Sequence, residues 1–116
     1  MARQPSDLVT KHCTACTSDT PALPEAEVRE FVARLPGWAL STSPRPEIAR
    51  TFKFANFHET MAFVNAVAWV SHREDHHPDL EVGYNKCRVR YSTHSVGGLS
   101  DNDFICAAKV EALFTL

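Results

Sequence analysis

The sequence has few of the features that mark membrane, secreted or nucleic-acid-binding proteins. Its longest apolar runs, such as residues 66–70, contain five residues, whereas a bilayer-spanning helix needs about 20. The first residues lack the apolar segment of a secretory signal. A formal net charge of -2 produces no field that would recruit nucleic acid or an anionic lipid surface. We therefore expect a cytoplasmic protein that acts without nucleic acid and without a membrane.

Two common catalytic motifs are also missing. The chain contains no GxSxG sequence, which would present a nucleophilic serine on a strand-to-helix turn. It contains no HExxH sequence, which would bind zinc on a helix. Serine hydrolases with a nucleophile elbow and zinc peptidases of that type are thereby excluded.

Cysteine is scarce, with four residues in the chain. Cys13 and Cys16 form a CxxC pair after His12, while Cys87 and Cys106 lie within apolar patterns. In a reducing compartment we expect no disulfide. A structural zinc site needs four ligands, and only three candidates lie near the CxxC pair. The pair therefore predicts solvent-exposed thiols on an arm.

A length of 116 residues predicts one domain. Residues 1–22 are polar and show no periodicity, which predicts a flexible arm without regular structure. Residues 23–116 form the predicted domain. A first helix begins near Pro24 and ends at Pro36-Gly37. Its apolar stripe has helical spacing: Val28, Phe31, Val32 and Leu35.

The rest of the chain alternates between strand and helix patterns. Strands are predicted around residues 38–40, 48–54, 80–84 and 87–91. A second helix starts after Asn56, and a third starts at a capping-box pattern in Ser100-Asp101-Asn102-Asp103. The order is α-β-β-α-β-β-α. It predicts an α+β, two-layer fold in which three helices cover one face of a four-stranded antiparallel sheet.

Histidine is concentrated at the end of the second helix. His72, His76 and His77 lie within six residues, and His94 follows the last predicted strand. We expect this helix to fray just before Pro78, which disfavours helical geometry at His77. Its predicted core-facing stripe continues to His72 and His76 from four apolar residues: Phe57, Met61, Val64 and Ala68. If the hairpin brings His94 back to the helix end, three or four imidazoles would line one concave site.

Three interpretations of this cluster compete. His76, His77 and His94 could bind zinc, although adjacent residues rarely direct both rings at one ion. The histidines could instead be surface cations that stabilise a helix end by about 0.3 to 1 kcal/mol each. The third interpretation is general acid-base catalysis, because imidazole exchanges protons near neutral pH. A proline-locked loop and a strand end favour the third interpretation.

The spacing of these residues resembles the signature of the pterin-4a-carbinolamine dehydratases. The pattern runs at fixed gaps through His72, His76-His77-Pro78, Tyr84, His94 and Asp103. Neighbouring segments agree with it: Leu35-Pro36-Gly37-Trp38, Arg50-Thr51-Phe52-Lys53-Phe54, Tyr84-Asn85-Lys86, Ser92-Thr93-His94 and Gly98-Leu99-Ser100. The resemblance covers about residues 23–116 and is to the bacterial type. His72 is a departure, because many relatives carry an acidic residue there.

The resemblance implies a hydro-lyase that removes water from a 4a-hydroxytetrahydropterin and leaves quinonoid dihydropterin. This reaction recycles the cofactor of aromatic amino acid hydroxylases, so it implies a functional link to such a hydroxylase. The enzyme would need no cofactor and no metal. The implied assembly is a homodimer or homotetramer.

The resemblance also implies site residues. His76, His77 and His94 would be catalytic, with His76 and His94 as the acid-base pair. Asp103 could support the pocket or serve only in the capping box. The residues implied to bind the pterin, apart from Asp103, are Asp75, His76, His77, Ser92, Thr93, His94 and Ser95. Two alternatives stay open: a dimerisation partner of a transcription factor, as one relative is, and a histidine-ligated zinc protein.

Overall fold

The computed structural model describes the backbone of residues 5–115 and the side chains of residues 8–114. Its α-helices within that range are α1 (Pro5–Thr10), α2 (Glu25–Ala33), α3 (Phe57–Glu74) and α4 (Asp101–Ala112). Its strands are β1 (Ala39–Ser41), β2 (Glu47–Lys53), β3 (Asp79–Val82) and β4 (Lys86–Tyr91). Two 3₁₀ turns span His94–Val96 and Leu113–Thr115. No described helix is both long enough and apolar enough to cross a bilayer.

The strands form one antiparallel sheet in the order β1-β2-β4-β3. Strands β1 and β2 form one hairpin and β3 and β4 form another, and the two hairpins meet where β2 pairs with β4. In this register Ile48 lies opposite Tyr91, and Phe52 lies opposite Cys87. The predicted α+β fold with a four-stranded antiparallel sheet is confirmed, with one helix more than the sequence indicated.

One face of the sheet meets the helices in the core. Its inward residues are almost fully buried: Ile48, Phe52, Cys87, Val89 and Tyr91. Phe104 of α4 is completely buried, and its ring centroid lies 4.8 Å from that of Phe31 in α2. The packing of Phe104 holds α4 in place, so that the first turn of α4 is a rigid support for side chains near the end of β4.

Arg50 interrupts the apolar parity of β2 because its guanidinium has partners at the rim of the core. Its Nη1 donates to Glu111 Oε1 at 2.6 Å and to the Pro36 carbonyl at 3.0 Å. The Trp38 indole N–H donates to the same Glu111 oxygen at 2.8 Å. Gly37 has φ 91, and a Cβ there would lie 2.7 Å from the guanidinium carbon. The positive φ favours glycine at this position, and the absence of a side chain leaves room for the Arg50 guanidinium.

The buried face of α3 differs from the predicted stripe. The predicted residues Phe57 and Ala68 are exposed. The face that packs inward carries Thr60, Phe63, Val67, Ser71 and Glu74. Polar residues can occupy this face because their hydrogen bonds are satisfied: Thr60 Oγ1 donates to the carbonyls of Asn56 and Tyr84, and Ser71 Oγ to that of Val67. A search for apolar residues at helical spacing therefore does not identify the inward face of α3.

The N-terminal segment was predicted to lack regular structure, and this is wrong for residues 5–10, which form α1. Leu8 is 1% exposed and belongs to the core cluster. On the adjoining helix α4, Lys109 Nζ donates to the Val9 carbonyl at 2.7 Å. The short helix was missed because a single buried leucine gives no periodic pattern.

Candidate active site

The end of α3 is shaped by a left-handed residue. Asp75 has φ 51, and the backbone N–H groups of Asp75 and His76 both donate to the Ser71 carbonyl. This closure ends the helix at Glu74, before the expected fraying near Pro78. The chain then leaves the helix direction. The ring of His76 lies parallel to that of Tyr91, with an interplanar angle of 9° and centroids 5.9 Å apart.

A buried carboxylate binds the Nε2 atom of the His76 ring. His76 Nε2 lies 2.7 Å from Asp103 Oδ1, with 12% of the His76 side chain and none of the Asp103 side chain exposed. The second oxygen, Oδ2, accepts from Thr93 Oγ1 at 2.7 Å and from the Ser100 N–H at 3.0 Å. Asp103 thus belongs both to the capping box of α4 and to the histidine network.

The strand end after β4 folds back on itself to reach this network. Thr93 and Gly98 form an antiparallel bridge, with the Thr93 N–H donating to the Gly98 carbonyl at 2.8 Å. Between them, His94–Val96 make a 3₁₀ turn closed by Gly97 at φ 68. The Thr93 hydroxyl donates to Asp103, so the next residue, the exposed His94, follows directly after a member of the network.

The geometry sets which nitrogen of His76 is free. An ionised carboxylate only accepts hydrogen bonds, so the neutral imidazole carries its proton on Nε2, toward Asp103. The other nitrogen, Nδ1, then has a lone pair and can take up a proton. A histidine oriented by a buried aspartate in this way is suited to act as a general base.

Comparison with known proteins identifies the family. The family model for pterin 4 alpha carbinolamine dehydratase matches residues 21–113. The chain belongs to the pterin 4 alpha carbinolamine dehydratase family. A relative from Nitrosospira multiformis is 54% identical over 110 residues, covering 95% of each chain. A relative from Nitrosomonas eutropha is 56% identical over 108 residues, covering 92% of this chain and 93% of its own. Both carry the provisional name pterin-4-alpha-carbinolamine dehydratase.

A solved structure supports the same assignment. The protein from Brucella melitensis described as a transcriptional coactivator/pterin dehydratase superimposes with a TM-score of 0.74 at 34% identity. The match covers 79% of this chain and 97% of that one. The resemblance inferred from the histidine spacing is thereby confirmed at the level of the family.

The predicted site residues of this dehydratase family member lie in two settings. His76, Thr93 and Asp103 are joined by hydrogen bonds. Ser92 is half-buried next to them. The remaining predicted residues are exposed on the two adjoining turns: Asp75, His77, His94 and Ser95. In the described part of the chain, the rings of His77 and His94 form no hydrogen bond to protein. The structure therefore provides one imidazole that is fixed by a hydrogen bond, while the other two predicted imidazoles face solvent on the adjoining turns.

His72 lies apart from this network. It is exposed on α3, and its ring centroid is 5.8 Å from that of Trp69. Trp69 is itself 61% exposed. The prediction that the core-facing stripe continues through His72 is wrong, because the buried face of α3 passes through Ser71 and Glu74 instead.

Metal binding finds no support in the described side chains. No group of three or more His, Cys, Asp or Glu residues among them is arranged to hold an ion. His76 instead directs one ring nitrogen at Asp103, an arrangement that proton transfer can use directly.

Tyr91 is a site residue that the sequence did not single out. Its side chain is completely buried, and it forms the flat surface under the His76 ring. Burial raises the pKa of Tyr91 well above its usual range, so its hydroxyl stays protonated. The alternation of β4 had indicated that Tyr91 faces inward, but only the fold shows that it meets a histidine.

Within the N-terminal arm, residues 12–14 form hydrogen bonds to both segments that carry the network. Glu74, just before the left-handed turn, accepts from the Cys13 N–H at 2.7 Å and from His12 Nδ1 at 2.9 Å. Asn102, just before Asp103, accepts from the Thr14 N–H at 3.0 Å and donates to the Thr14 carbonyl at 2.7 Å. The arm thus connects the end of α3 to the start of α4.

We expect the Glu74 contact to make stability pH-dependent. Burial opposes ionisation of Glu74, but hydrogen bonds from Cys13 and His12, together with nearby Lys109, outweigh it and lower its pKa. A carboxylate with a lowered pKa in the folded state stabilises the fold above its unfolded pKa of about 4.3. That stability is lost as the pH falls through the folded pKa.

Glu74→Gln should therefore cost about 1–3 kcal/mol at pH 7, and the difference from wild type should shrink below about pH 4. Urea unfolding at pH 7 and pH 3.5 measures both values. Glu27→Gln, at an exposed position of α2, is the matched control. A Glu74→Gln deficit that is the same at both pH values would contradict this role.

Proposed function

We propose that this protein is a hydro-lyase that dehydrates 4a-hydroxytetrahydropterin to quinonoid dihydropterin. Membership of the family supports the reaction class. The observation that carries the proposal is the contact between His76 Nε2 and the buried Asp103 carboxylate, 2.7 Å long, near the end of β4 and the turn that carries His94. A binding module without catalysis would have no use for an imidazole held in one orientation by a buried aspartate.

Two proton movements are required by this reaction. The C4a–O bond breaks when the departing hydroxyl receives a proton, and the new C=N bond forms when N5 loses its proton. His76 accepts the N5 proton at Nδ1. Its Nε2 keeps its own proton and continues to donate it in the hydrogen bond to Asp103. The positive charge that appears on the ring is stabilised by the carboxylate.

The second proton carrier is His94, which is exposed on the turn after Thr93. In its protonated form it donates to the departing hydroxyl, which leaves as water. His77 and Asp75 contact the pterin ring from the turn after α3. Regeneration needs only a proton passed from His76 to solvent and one taken up by His94, so no cofactor enters the cycle.

The biological role follows from this substrate. The 4a-hydroxy adduct is the product that aromatic amino acid hydroxylases leave behind, so the enzyme would recycle their cofactor. Assembly as a homodimer or homotetramer, a cytoplasmic location and a flexible N-terminal arm stay predictions. Size-exclusion chromatography with light scattering measures the number of chains in the assembly directly.

The test is a dehydration assay with enzymatically generated 4a-carbinolamine. Purified wild type should accelerate the decay of the adduct, and His94→Ala should lower the rate by about 100-fold, within the usual range for general acid-base catalysis. His58→Ala, at an exposed position of α3, is the matched control and should stay within about twofold of wild type. If wild-type protein does not change the decay rate, the proposal fails.

The same variants address the coactivator description of the structural neighbour. A protein-binding role would use the outer surface and would survive loss of His94. A wild-type protein that is inactive in the assay but binds a protein partner equally well with and without His94 would favour that second function.

A further inference from the structure

The thiols of Cys13 and Cys106 lie against each other. Their Sγ atoms are 3.5 Å apart although the residues are 93 positions apart in the sequence. Cys13 is partly exposed in the arm, and Cys106 is buried in α4. The CxxC spacing suggests Cys16 as the partner of Cys13. However, Cys16 Sγ lies near the Thr14 carbonyl and Asn102 Nδ2, at 3.8 Å and 3.5 Å.

Backbone hydrogen bonds fix this sulfur contact. The Cys13 N–H is held by Glu74 at 2.7 Å, and Thr14 is held at both its N–H and its carbonyl by Asn102. Asn102 and Cys106 are on the same helix, one turn apart. The arm therefore presents Cys13 to Cys106 through its main chain, and the proximity does not depend on side-chain rotation alone.

We propose that Cys13 and Cys106 are a modification site that closes to an intrachain disulfide on exposure to hydrogen peroxide. This property is separate from the dehydration reaction and does not depend on it. All four cysteines are free thiols in the structure. The oxidant is supplied from outside, and a dithiol reductant restores the pair.

The chemistry has two steps. Cys13, which solvent can reach, attacks one peroxide oxygen; the O–O bond breaks, and the hydroxide leaves as water with the thiol proton. Cys106 sulfur then attacks the Cys13 sulfenic acid, the S–O bond breaks, and the hydroxide leaves as water with the Cys106 proton. Two thiols are oxidised to one disulfide, and one peroxide is reduced to two waters.

The surroundings divide these roles between the two sulfurs. The hydrogen bond with Cys13, together with burial, raises the pKa of Cys106, so this buried sulfur does not itself react with the oxidant and loses its proton only when it attacks the adjacent Cys13 sulfur. Cys87 is buried in β4, and burial raises its pKa also. It therefore serves as an internal reference that peroxide should leave unmodified.

Peptide mapping of the oxidised full-length chain tests the proposal. The protein is treated with hydrogen peroxide, blocked with N-ethylmaleimide and digested with trypsin without reductant. Cleavage after Lys11 and Arg29 releases residues 12–29, and cleavage after Arg90 and Lys109 releases residues 91–109. We expect these peptides joined with the loss of two hydrogens, in protein that still migrates as a single chain, and separated by dithiothreitol.

Because residues 12–29 also contain Cys16, the matched control is Cys16→Ser. The joined peptide should persist in Cys16→Ser and disappear in Cys13→Ser. A second measurement uses the wild-type protein and so does not depend on whether a variant folds. Its Tm should rise by about 5 °C or more on oxidation and return on reduction. A Cys13–Cys16 disulfide, a link through Cys16 to residues 91–109, or sulfinic acid at Cys13 without a joined peptide would overturn the proposal.

Discussion

Replacement of Asp103 by Asn is expected to reduce dehydration by about 1,000-fold, because an amide cannot reproduce the contacts of the carboxylate. Asp103 Oδ2 accepts from the Ser100 N–H and from the Thr93 hydroxyl, so the amide oxygen is needed on that side. The amide NH₂ then faces His76 and forces its Nε2 to become an acceptor. The imidazole adopts the other tautomer, with Nδ1 protonated and unable to act as a base.

The measurement is kcat for the carbinolamine in wild type, Asp103→Asn, His76→Ala and the double variant. Since the two residues act as one unit, the double variant should lose no more than His76→Ala alone. Asp19→Asn, at an exposed position in the arm, is the matched control for the loss of charge. Independent, multiplying losses in the double variant would show that Asp103 acts only in the capping box.

Tyr91→Ala is expected to lower the free energy of unfolding by about 3–5 kcal/mol, as large-to-small changes of buried aromatic residues do. Tyr91 is completely buried and contacts the rings of Trp38 and His76. The cavity would also remove the surface on which His76 rests. We expect kcat to fall with stability, because a displaced imidazole no longer meets its substrate.

Urea unfolding and the dehydration assay on Tyr91→Ala and Tyr91→Phe separate the ring from the hydroxyl. Tyr91→Phe keeps the stacking surface and should remain within a few fold of wild-type activity. If Tyr91→Phe were as inactive as Tyr91→Ala, the hydroxyl and not the stacking would be the important group.

The fold could be predicted from the sequence because its signals are local. Alternation in residues 87–91, the prolines around α2 and the Asn56 cap each act over a few residues, and the structure has the corresponding elements. The inward face of α3 could not be read in this way. Thr60 and Ser71 are buried only because carbonyls within hydrogen-bonding distance accept from them.

The candidate site was predicted in part for the same reason. The gaps between His76, His94 and Asp103 are linear features, and they indicated the family. The pairing of His76 with Asp103 arises between residues 27 positions apart, and the contact of Cys13 with Cys106 between residues 93 apart. Such contacts depend on how helices and sheet pack, which no local pattern encodes.

Asp103 caps α4 and also contacts His76, and this affects how related sequences should be interpreted. Its carboxylate is needed to begin α4 whether or not any proton is ever transferred. A homologue that had abandoned chemistry would therefore still be selected to retain an aspartate here, simply to fold. The informative position is 76, because its imidazole takes no part in the capping box that begins α4; a search for inactive paralogues should start from its loss.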